Sequence, residues 1–173
     1  MPPIDKERFI SQSALAVGCV AALAFMGAAT PRASAASLSR SVDVNATPAA
    51  VWAVIGPFCA IKNWHPVIAT CTEDGQTPPV RTLVTKDGRT TFVEMQTARS
   101  DTKHFYTYTF QSSPLPVTHY KSTITVVAKG NGISTVTWRG TYTPVQGKEK
   151  DASDTLTGIY TTGLDSIRAK FTK

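Results

Sequence analysis

The feature that most constrains this chain is a series of strand-like segments followed by one long helical pattern. Six segments rich in β-branched and aromatic residues are separated by turn residues, which is typical of strands. They span residues 67–71, 80–86, 90–98, 104–111, 120–129 and 134–143. Beyond Gly147 the apolar residues recur at three- and four-residue steps, which predicts a long amphipathic helix. An antiparallel sheet of this length needs a cover for its apolar face, and this helix can supply it.

The helical pattern also has the charges that a long helix favours. Its apolar stripe consists of Ala152, Leu156, Ile159, Tyr160, Gly163, Leu164, Ile167 and Phe171. Glu149 and Asp151 lie at its start, and Arg168 and Lys170 lie at its end. Acidic residues at the N-terminus and basic residues at the C-terminus of a helix complement its dipole. One continuous helix is therefore expected at the end of the chain.

Shorter elements precede the strand series. Alternating residues over 38–44 predict a first strand with one apolar face. Thr47 can cap a helix and Pro48 suits its first position, so a short helix is expected to run through Ile55 and end near Gly56. Residues 58–62 predict a second short helical turn.

Two turns predict the pairing of neighbouring strands. The Asp87-Gly88 turn is typical of a two-residue hairpin, which would pair Leu83 with Phe92 and Arg81 with Glu94. Residues 130–132, Gly-Asn-Gly, resemble a three-residue hairpin loop. That loop would pair Val126 with Val136, Ile124 with Trp138 and Tyr120 with Tyr142, with the even-numbered positions facing inward.

The first 35 residues have the pattern of a cleavable signal peptide. A short charged opening precedes an apolar run from residue 9 to residue 29, and Ala33-Ser34-Ala35 fits the A-x-A pattern that a signal peptidase recognises. Cleavage after Ala35 would start the mature protein at Ala36. Two alternatives are a lipidated N-terminus at Cys19, within a loose lipobox, and an uncleaved anchor helix.

Composition excludes several classes of function. The net charge of +6 comes from scattered basic residues without a dense block, which argues against nucleic-acid binding. The sequence has no nucleophile elbow, phosphate loop, zinc signature or dinucleotide fingerprint, so neither a metal nor a cofactor is expected. Cys59 and Cys71 could form a disulfide in an oxidising compartment, or could be two small buried hydrophobic residues.

Several motifs, taken in order, resemble one superfamily. They are Val51-Trp52-Ala53-Val54-Ile55-Gly56-Pro57-Phe58, Asn63-Trp64-His65-Pro66, Arg81-Thr82-Leu83 before Asp87-Gly88, Glu94, Tyr106-Thr107-Tyr108, Pro114-Leu115-Pro116-Val117 before Tyr120, and Val136-Thr137-Trp138. Over residues 36–173 the chain resembles the START-like superfamily called SRPBCC, nearest to the polyketide cyclase/dehydrase and MxaD-like branch. The resemblance implies an α+β helix-grip fold, in which a curved antiparallel sheet wraps around a long C-terminal helix and encloses a cavity.

Inward-facing positions place a polar row within this implied cavity. Arg81, Glu94 and Tyr108 would lie side by side if a tight turn near Asp101 joined the strands at residues 90–98 and 104–111. A buried arginine needs a carboxylate, so the row is either a structural ion pair or a device that orients a ligand. His65 could act as a base, although a histidine in such a loop more often packs or caps.

Aromatic residues complete the candidate site. We expect His104 and His119 to be solvated at strand ends and Trp52 to lie in the core. The candidate ligand-binding residues are Trp64, His65, Arg81, Glu94, Tyr106, Tyr108, Tyr120, Trp138 and Tyr160. The function predicted first is an exported, non-catalytic protein that binds a small hydrophobic or amphipathic molecule. The alternatives are a cyclase- or dehydratase-like enzyme and, from the resemblance, a helper of a periplasmic methanol-type dehydrogenase.

Overall fold

Residues 34–172 are described by a computed structural model, so the predicted signal peptide and Cys19 lie outside the described residues, apart from Ser34 and Ala35. The strands are β1 (Ala36–Val44), β2 (Ile68–Glu73), β3 (Val80–Thr85), β4 (Thr91–Ser100), β5 (Phe105–Ser112), β6 (Val117–Gly130) and β7 (Ile133–Pro144). The helices are α1 (Pro48–Ile55), α2 (Ile61–Trp64) and α3 (Glu149–Lys170), and a 3₁₀ turn at Phe58–Ala60 joins α1 to α2.

Within the described residues the strands form one antiparallel sheet in the order β1-β7-β6-β5-β4-β3-β2. The long helix α3 packs its apolar stripe against the inner face of the sheet, and Ala152, Leu156, Tyr160 and Ile167 are buried there. This arrangement is the helix-grip fold, which confirms the predicted class.

The start of α1 confirms the predicted cap. The side chain of Thr47 accepts a hydrogen bond from the backbone N–H of Ala50, and Pro48 occupies the first helical position. Thr47 therefore satisfies one of the donors that a helix N-terminus leaves free, and Pro48 has no N–H that needs a partner. The helix ends at Ile55, one residue before Gly56.

The Asp87-Gly88 hairpin has the predicted register. Arg81 pairs with Glu94 and Leu83 pairs with Phe92. The even-numbered residues are buried over 120–126 in β6 and over 134–144 in β7, among them Ile124 and Trp138, which are directly paired. Two turns therefore fix which side chains of four strands point inward.

Three predicted details of register are wrong. Tyr108 pairs with Gln96 instead of lying beside Glu94, because a four-residue loop at 101–104 and a bulge between Gln96 and Ala98 shift β5 along β4. Glu94 pairs with Phe110.

The other two differences lie in the β6–β7 hairpin. Tyr120 is not paired with Tyr142, because the register shifts between Thr118 and Lys121, where His119 adopts a left-handed φ of 52°. Gly130 pairs with Ile133, so the loop has two residues, and the extra residue forms a bulge between Ala128 and Gly130. A bulge absorbs one residue without reversing which face the remaining side chains occupy.

Candidate functional site

A cavity of about 230 Å³ lies between the inner face of the sheet and the first half of α3. Its wall is mostly apolar and aromatic, and its buried polar side chains include His65, Glu94, Tyr108 and Tyr120, while three threonines contribute less buried hydroxyl groups. The remaining lining residues are Ile61, Val67, Ile68, Leu83, Thr85, Thr90, Phe92, Phe110, Leu115, Trp138, Thr155, Leu156 and Ile159.

A buried ion pair lies at one side of this cavity. The Nε atom of Arg81 donates to Oε2 of Glu94 at 2.6 Å, and Nη2 makes an ionic contact with the same oxygen at 2.6 Å. Nη1 donates to the backbone oxygen of Phe58, and the guanidinium carbon lies 4.0 Å from the centre of the Phe58 ring. Glu94 lines the cavity, whereas Arg81 is fully buried behind it.

The two charges of this pair affect each other. Burial raises the pKa of Glu94, and the neighbouring guanidinium opposes that change. Burial has the largest single effect and would lower the pKa of Arg81, but the negative charge of Glu94, the neighbouring Tyr106 and Tyr108 and the hydrogen bond to Glu94 together outweigh it, so the pKa is raised. The arginine therefore stays protonated, and its carboxylate partner is the group of the pair that faces the cavity.

A chain of hydroxyl groups begins beside this pair, since the guanidinium carbon of Arg81 lies 5.2 Å from the centre of the Tyr108 ring. The Tyr120 hydroxyl is 2.7 Å from the Tyr160 hydroxyl, which is 2.8 Å from Oγ of Ser122. Nε1 of Trp138 donates to Ser122 at 2.9 Å and to the Tyr108 hydroxyl at 3.1 Å. Burial raises the pKa of Tyr160 to about 12, and it raises the pKa values of Tyr108 and Tyr120 well above the ordinary value. All three phenols therefore stay neutral.

Two glycines let α3 approach the sheet. A Cβ atom at Gly140 would lie 2.3 Å from the Tyr160 hydroxyl, so the strand must lack a side chain there. A Cβ atom at Gly163 would lie 2.8 Å from both His65 Cδ2 and Trp138 Cζ3. The Trp138 and Tyr160 rings stack with their centres 4.4 Å apart and an interplanar angle of 8°. The close approach therefore allows a stacked contact between helix and sheet.

His65 ends α2 and packs under α3. Its Nε2 atom is 3.0 Å from the backbone oxygen of Ile159, and the residue is 3% exposed. Burial lowers the pKa of this histidine, the hydrogen bond to Ile159 opposes that change, and the positive charge of Arg81 adds to it. The imidazole is therefore neutral near pH 7. His104 is half-buried and His119 is exposed, and neither lines the cavity.

The predicted cysteine pair forms a disulfide. Cys59, in the 3₁₀ turn, is bonded to Cys71 in β2, with the two Cα atoms 5.4 Å apart. The bond ties the edge strand β2 to the turn that carries Phe58. It therefore holds in place the backbone oxygen that Arg81 contacts.

The candidate residues divide between the cavity wall and the layer behind it. Lining residues are His65, Glu94, Tyr108, Tyr120 and Trp138. Four others do not line the cavity, which corrects the expectation that Arg81 faces it: Trp64, Arg81, Tyr106 and Tyr160. Each of these four contacts a lining side chain: Trp64 packs edge-on against Trp138, Arg81 pairs with Glu94, Tyr106 lies beside Tyr108, and Tyr160 stacks on Trp138.

Sequence reasoning missed some parts of the site. Ser122 lies at an inward, even-numbered position of β6, so the same parity that selected Tyr120 would have found it. Leu115 comes from a loop and Thr155 from an exposed position of α3, so no periodic pattern marks either of them. Trp52 is buried as expected, and its Nε1 atom donates to Oδ1 of Asp101 at 2.8 Å.

Two further observations concern the described residues alone. Residues 34–172 contain no cluster of three or more His, Cys, Asp or Glu side chains placed to hold a metal ion. Among these same residues, no helix combines the length and the apolar character required to cross a bilayer.

The fold and cavity define a helix-grip domain of the START-like class. The profile of one protein family, described as polyketide cyclase / dehydrase and lipid transport, matches residues 35–172. The chain belongs to this family, which confirms the superfamily indicated by the sequence motifs. No curated protein shows significant similarity to the chain.

Solved structures agree with this assignment. The protein XoxI from Bacillus cereus is 34% identical, with a TM-score of 0.74 over 79% of this chain and 95% of that one. An uncharacterised protein from Bacillus thuringiensis is 33% identical, with a TM-score of 0.74 over 79% of this chain and 98% of that one. The similarity to XoxI accords with the MxaD-like branch.

A more distant structure shares the fold alone. The Zhui aromatase/cyclase from Streptomyces sp. R1128 is 13% identical, with a TM-score of 0.65 over 79% of this chain and 93% of that one. At this identity the likeness extends to the arrangement of helix and sheet.

Proposed function

We propose that this protein is exported and binds a small, largely apolar molecule in the cavity under α3, without transforming it. The observation that carries the proposal is the cavity itself, about 230 Å³ in volume with a mostly apolar and aromatic wall. Preformed apolar cavities with a few convergent polar groups are the usual sites for small ligands.

The volume limits the size of the ligand. An apolar protein cavity of about 150 Å³ accommodates benzene, and drug-sized ligands occupy about 300 to 1,000 Å³. A cavity of about 230 Å³ lies between these values. The proposed ligand is therefore a molecule of one or two rings, or an acyl chain of similar volume.

A cavity-blocking variant tests the proposal. Thr155 and Thr161 are both exposed on α3, but only Thr155 lines the cavity. The Thr155→Trp variant should lose binding of naphthalene and of 2-naphthol in calorimetric titrations, and the Thr161→Trp control should bind each of them as the parent does. Failure of the parent protein to bind either compound, or equal binding by Thr155→Trp, would contradict the proposed site.

Export is the second part of the proposal. The signal-like pattern of residues 1–35 supports it, and so does the Cys59–Cys71 disulfide, because disulfides persist in oxidising compartments. N-terminal sequencing of protein from the periplasm should find Ala36 first. A retained Met1 or a lipid on Cys19 would overturn this part.

One observation favours the enzymatic alternative. Glu94 lines an apolar cavity and burial raises its pKa, which brings a carboxylate closer to the range that suits a general base. Such a base would remove an α-proton from an enolisable ketone and return one from solvent. Deuterium exchange of 2-tetralone, followed by NMR, tests this chemistry, and exchange that is lost in Glu94→Gln would favour the enzyme over the carrier.

The helper role for a periplasmic dehydrogenase stays a prediction. Its support is the similarity to the protein XoxI and the resemblance to the MxaD-like branch. Co-elution of the mature chain with a purified methanol-type dehydrogenase in size-exclusion chromatography would support that role, and separate elution would count against it.

A further inference from the structure

Four buried polar atoms outside the Arg81–Glu94 pair have no hydrogen-bond partner within residues 34–172. They are Trp64 Nε1, His65 Nδ1, Gln96 Nε2 and the Tyr106 hydroxyl. Of their residues, only His65 lines the cavity. An unpartnered buried polar atom is costly, so its occurrence at a cavity wall calls for a partner that enters the cavity.

The contacts of His65 define what its free nitrogen can do. Nε2 faces a backbone oxygen, Ile159 O, which can only accept a hydrogen bond. Nε2 must therefore carry the proton, and Nδ1 of the neutral ring carries a lone pair. The Nε2–Cδ2 edge faces Gly163 of α3, so Nδ1 lies on the opposite side of the ring, away from the helix.

Glu94 contributes a second acceptor. Both contacts with Arg81 go to Oε2, which leaves Oε1 free, and the residue lines the cavity. An ionised carboxylate has about four lone-pair positions and no proton to donate. The positive charge of Arg81, behind the cavity wall, balances the negative charge of the Glu94 carboxylate. The cavity therefore presents a hydrogen-bond acceptor without a large net charge.

The hydrogen bonds of the hydroxyl chain all run in one donor-to-acceptor direction, which is set by a backbone carbonyl group. Ser122 Oγ donates to the backbone oxygen of Arg139 at 2.9 Å, so its proton is used and it must accept from Tyr160. The Tyr160 proton is then used, so Tyr160 accepts from Tyr120. By the same reasoning Tyr120 accepts from Tyr108 across 3.4 Å.

Every hydroxyl proton in this chain is therefore used in a hydrogen bond within the protein. The two phenols that line it, Tyr108 and Tyr120, have protons directed along the chain and oxygen lone pairs remaining. Together with Glu94 Oε1 and His65 Nδ1, the buried side chains of the wall offer acceptors and no free donor, since the Trp138 N–H already donates to Ser122 and Tyr108. The remaining hydroxyl groups of the lining belong to the half-buried Thr85 and Thr90 and to the exposed Thr155.

We propose that the cavity selects a neutral ligand that donates a hydrogen bond, namely a small aromatic alcohol or amine, and that it excludes carboxylates. This inference rests on the proposed binding function and names the ligand class for the same cavity. Among the buried side chains of the wall a carboxylate would face oxygen and nitrogen lone pairs without a donor, whereas a hydroxyl or amine group supplies the missing partner. Sites with unpaired buried polar groups reject analogues that lack the matching group.

The test uses four bicyclic probes that differ in one substituent: naphthalene, 2-naphthol, 2-methoxynaphthalene and 2-naphthoate. In calorimetric titrations at pH 7, 2-naphthol should bind about tenfold more tightly than 2-methoxynaphthalene, the gain expected from one hydrogen bond in a buried site. We expect 2-naphthoate not to bind. Equal binding of naphthol and its methyl ether, or preferred binding of naphthoate, would overturn the inference and leave the binding function intact. If none of the probes binds, the proposed function itself fails.

A spectroscopic readout keeps the inference testable if variants of Glu94 do not fold. In protein labelled with ¹⁵N-histidine, the Nδ1 resonance of His65 should move upfield when 2-naphthol binds, as an acceptor nitrogen does when it gains a hydrogen bond. It should stay in place with 2-methoxynaphthalene. A Nδ1 resonance that 2-naphthol leaves unchanged, together with equal affinity of Glu94→Gln and the parent for 2-naphthol, would contradict the proposed acceptors.

Discussion

The hydroxyl of Tyr160 occupies the space that a side chain at Gly140 would need, only 2.3 Å from the position of the missing Cβ atom. Gly140 lies in β7 and Tyr160 lies in α3, so this contact joins the sheet to the helix. The same hydroxyl bonds to Ser122 and Tyr120. A change at residue 140 therefore acts on both the packing and the hydroxyl chain.

We first predict that Gly140→Ala destabilises the protein by about 1 to 3 kcal/mol, the usual effect of overpacking a core. Urea denaturation measures the change. Gly158→Ala is the control, because nothing lies within 4 Å of a Cβ atom there and alanine favours a helix interior. Equal stability of Gly140→Ala and the parent would show that Tyr160 can move without cost.

The second prediction concerns the buried ion pair. Glu94→Ala should lower the free energy of unfolding by about 3 to 5 kcal/mol, because it leaves the fully buried Arg81 without its partner. Arg81→Ala should be comparably severe, and the double variant should cost less than the sum of the two. Asp154→Ala removes an exposed pair with Lys150 and serves as the control, which should unfold like the parent. Additive single effects would argue against a coupled pair.

A third prediction is that acid destabilises the fold through His65. Its pKa is lowered in the folded state from an ordinary value of 6.5, so the unfolded chain binds the proton more tightly. Stability is therefore lost as the pH falls below about 6.5, until the folded-state pKa is passed. The parent and His65→Gln are compared by urea denaturation from pH 8 to pH 5, and the difference between the profiles isolates this histidine. The exposed His119→Asn is the control, and a His65→Gln profile parallel to that of the parent would refute the assignment.

Our fourth prediction is that reduction of Cys59–Cys71 lowers stability by about 2 to 4 kcal/mol, as closing a loop of this kind restricts the unfolded chain. Urea denaturation with and without dithiothreitol measures the loss. A Cys59→Ala/Cys71→Ala double variant should match the reduced protein and should not respond to the reductant. Unchanged stability on reduction would mean that packing alone fixes the turn.

The Arg81–Glu94 pairing could be predicted from the sequence because a two-residue turn fixes the register of the two strands that it connects. The same argument failed for Tyr108, because the loop at 101–104 and the bulge after Gln96 shift the register of β5 against β4. The local sequence does not indicate either irregularity. Bulges respond to the curvature of the whole sheet, so one strand read by itself does not reveal them.

The inner faces of the strands were predictable because alternation identifies them, and Tyr120 and Trp138 both lie on the cavity wall. The depth of each side chain was not predictable. Arg81 has the inward parity of the lining strand residues and Tyr160 belongs to the apolar stripe of α3, but neither lines the cavity, because depth depends on how closely α3 approaches the sheet. That approach depends on Gly140 and Gly163, whose role appears only once helix and sheet are placed together.

The absence of a side chain at Gly163 gives the two halves of α3 different roles. The second half of the helix is drawn close to His65 and Trp138, while the residues that line the cavity, among them Thr155 and Ile159, come from its first half. The second half of α3 fixes the helix against the sheet, and the first half covers the cavity. Substitutions in the first half of α3 can therefore reshape the cavity for a different ligand while the second half keeps the helix packed against the sheet. Ligand specificity can then change without a change of fold.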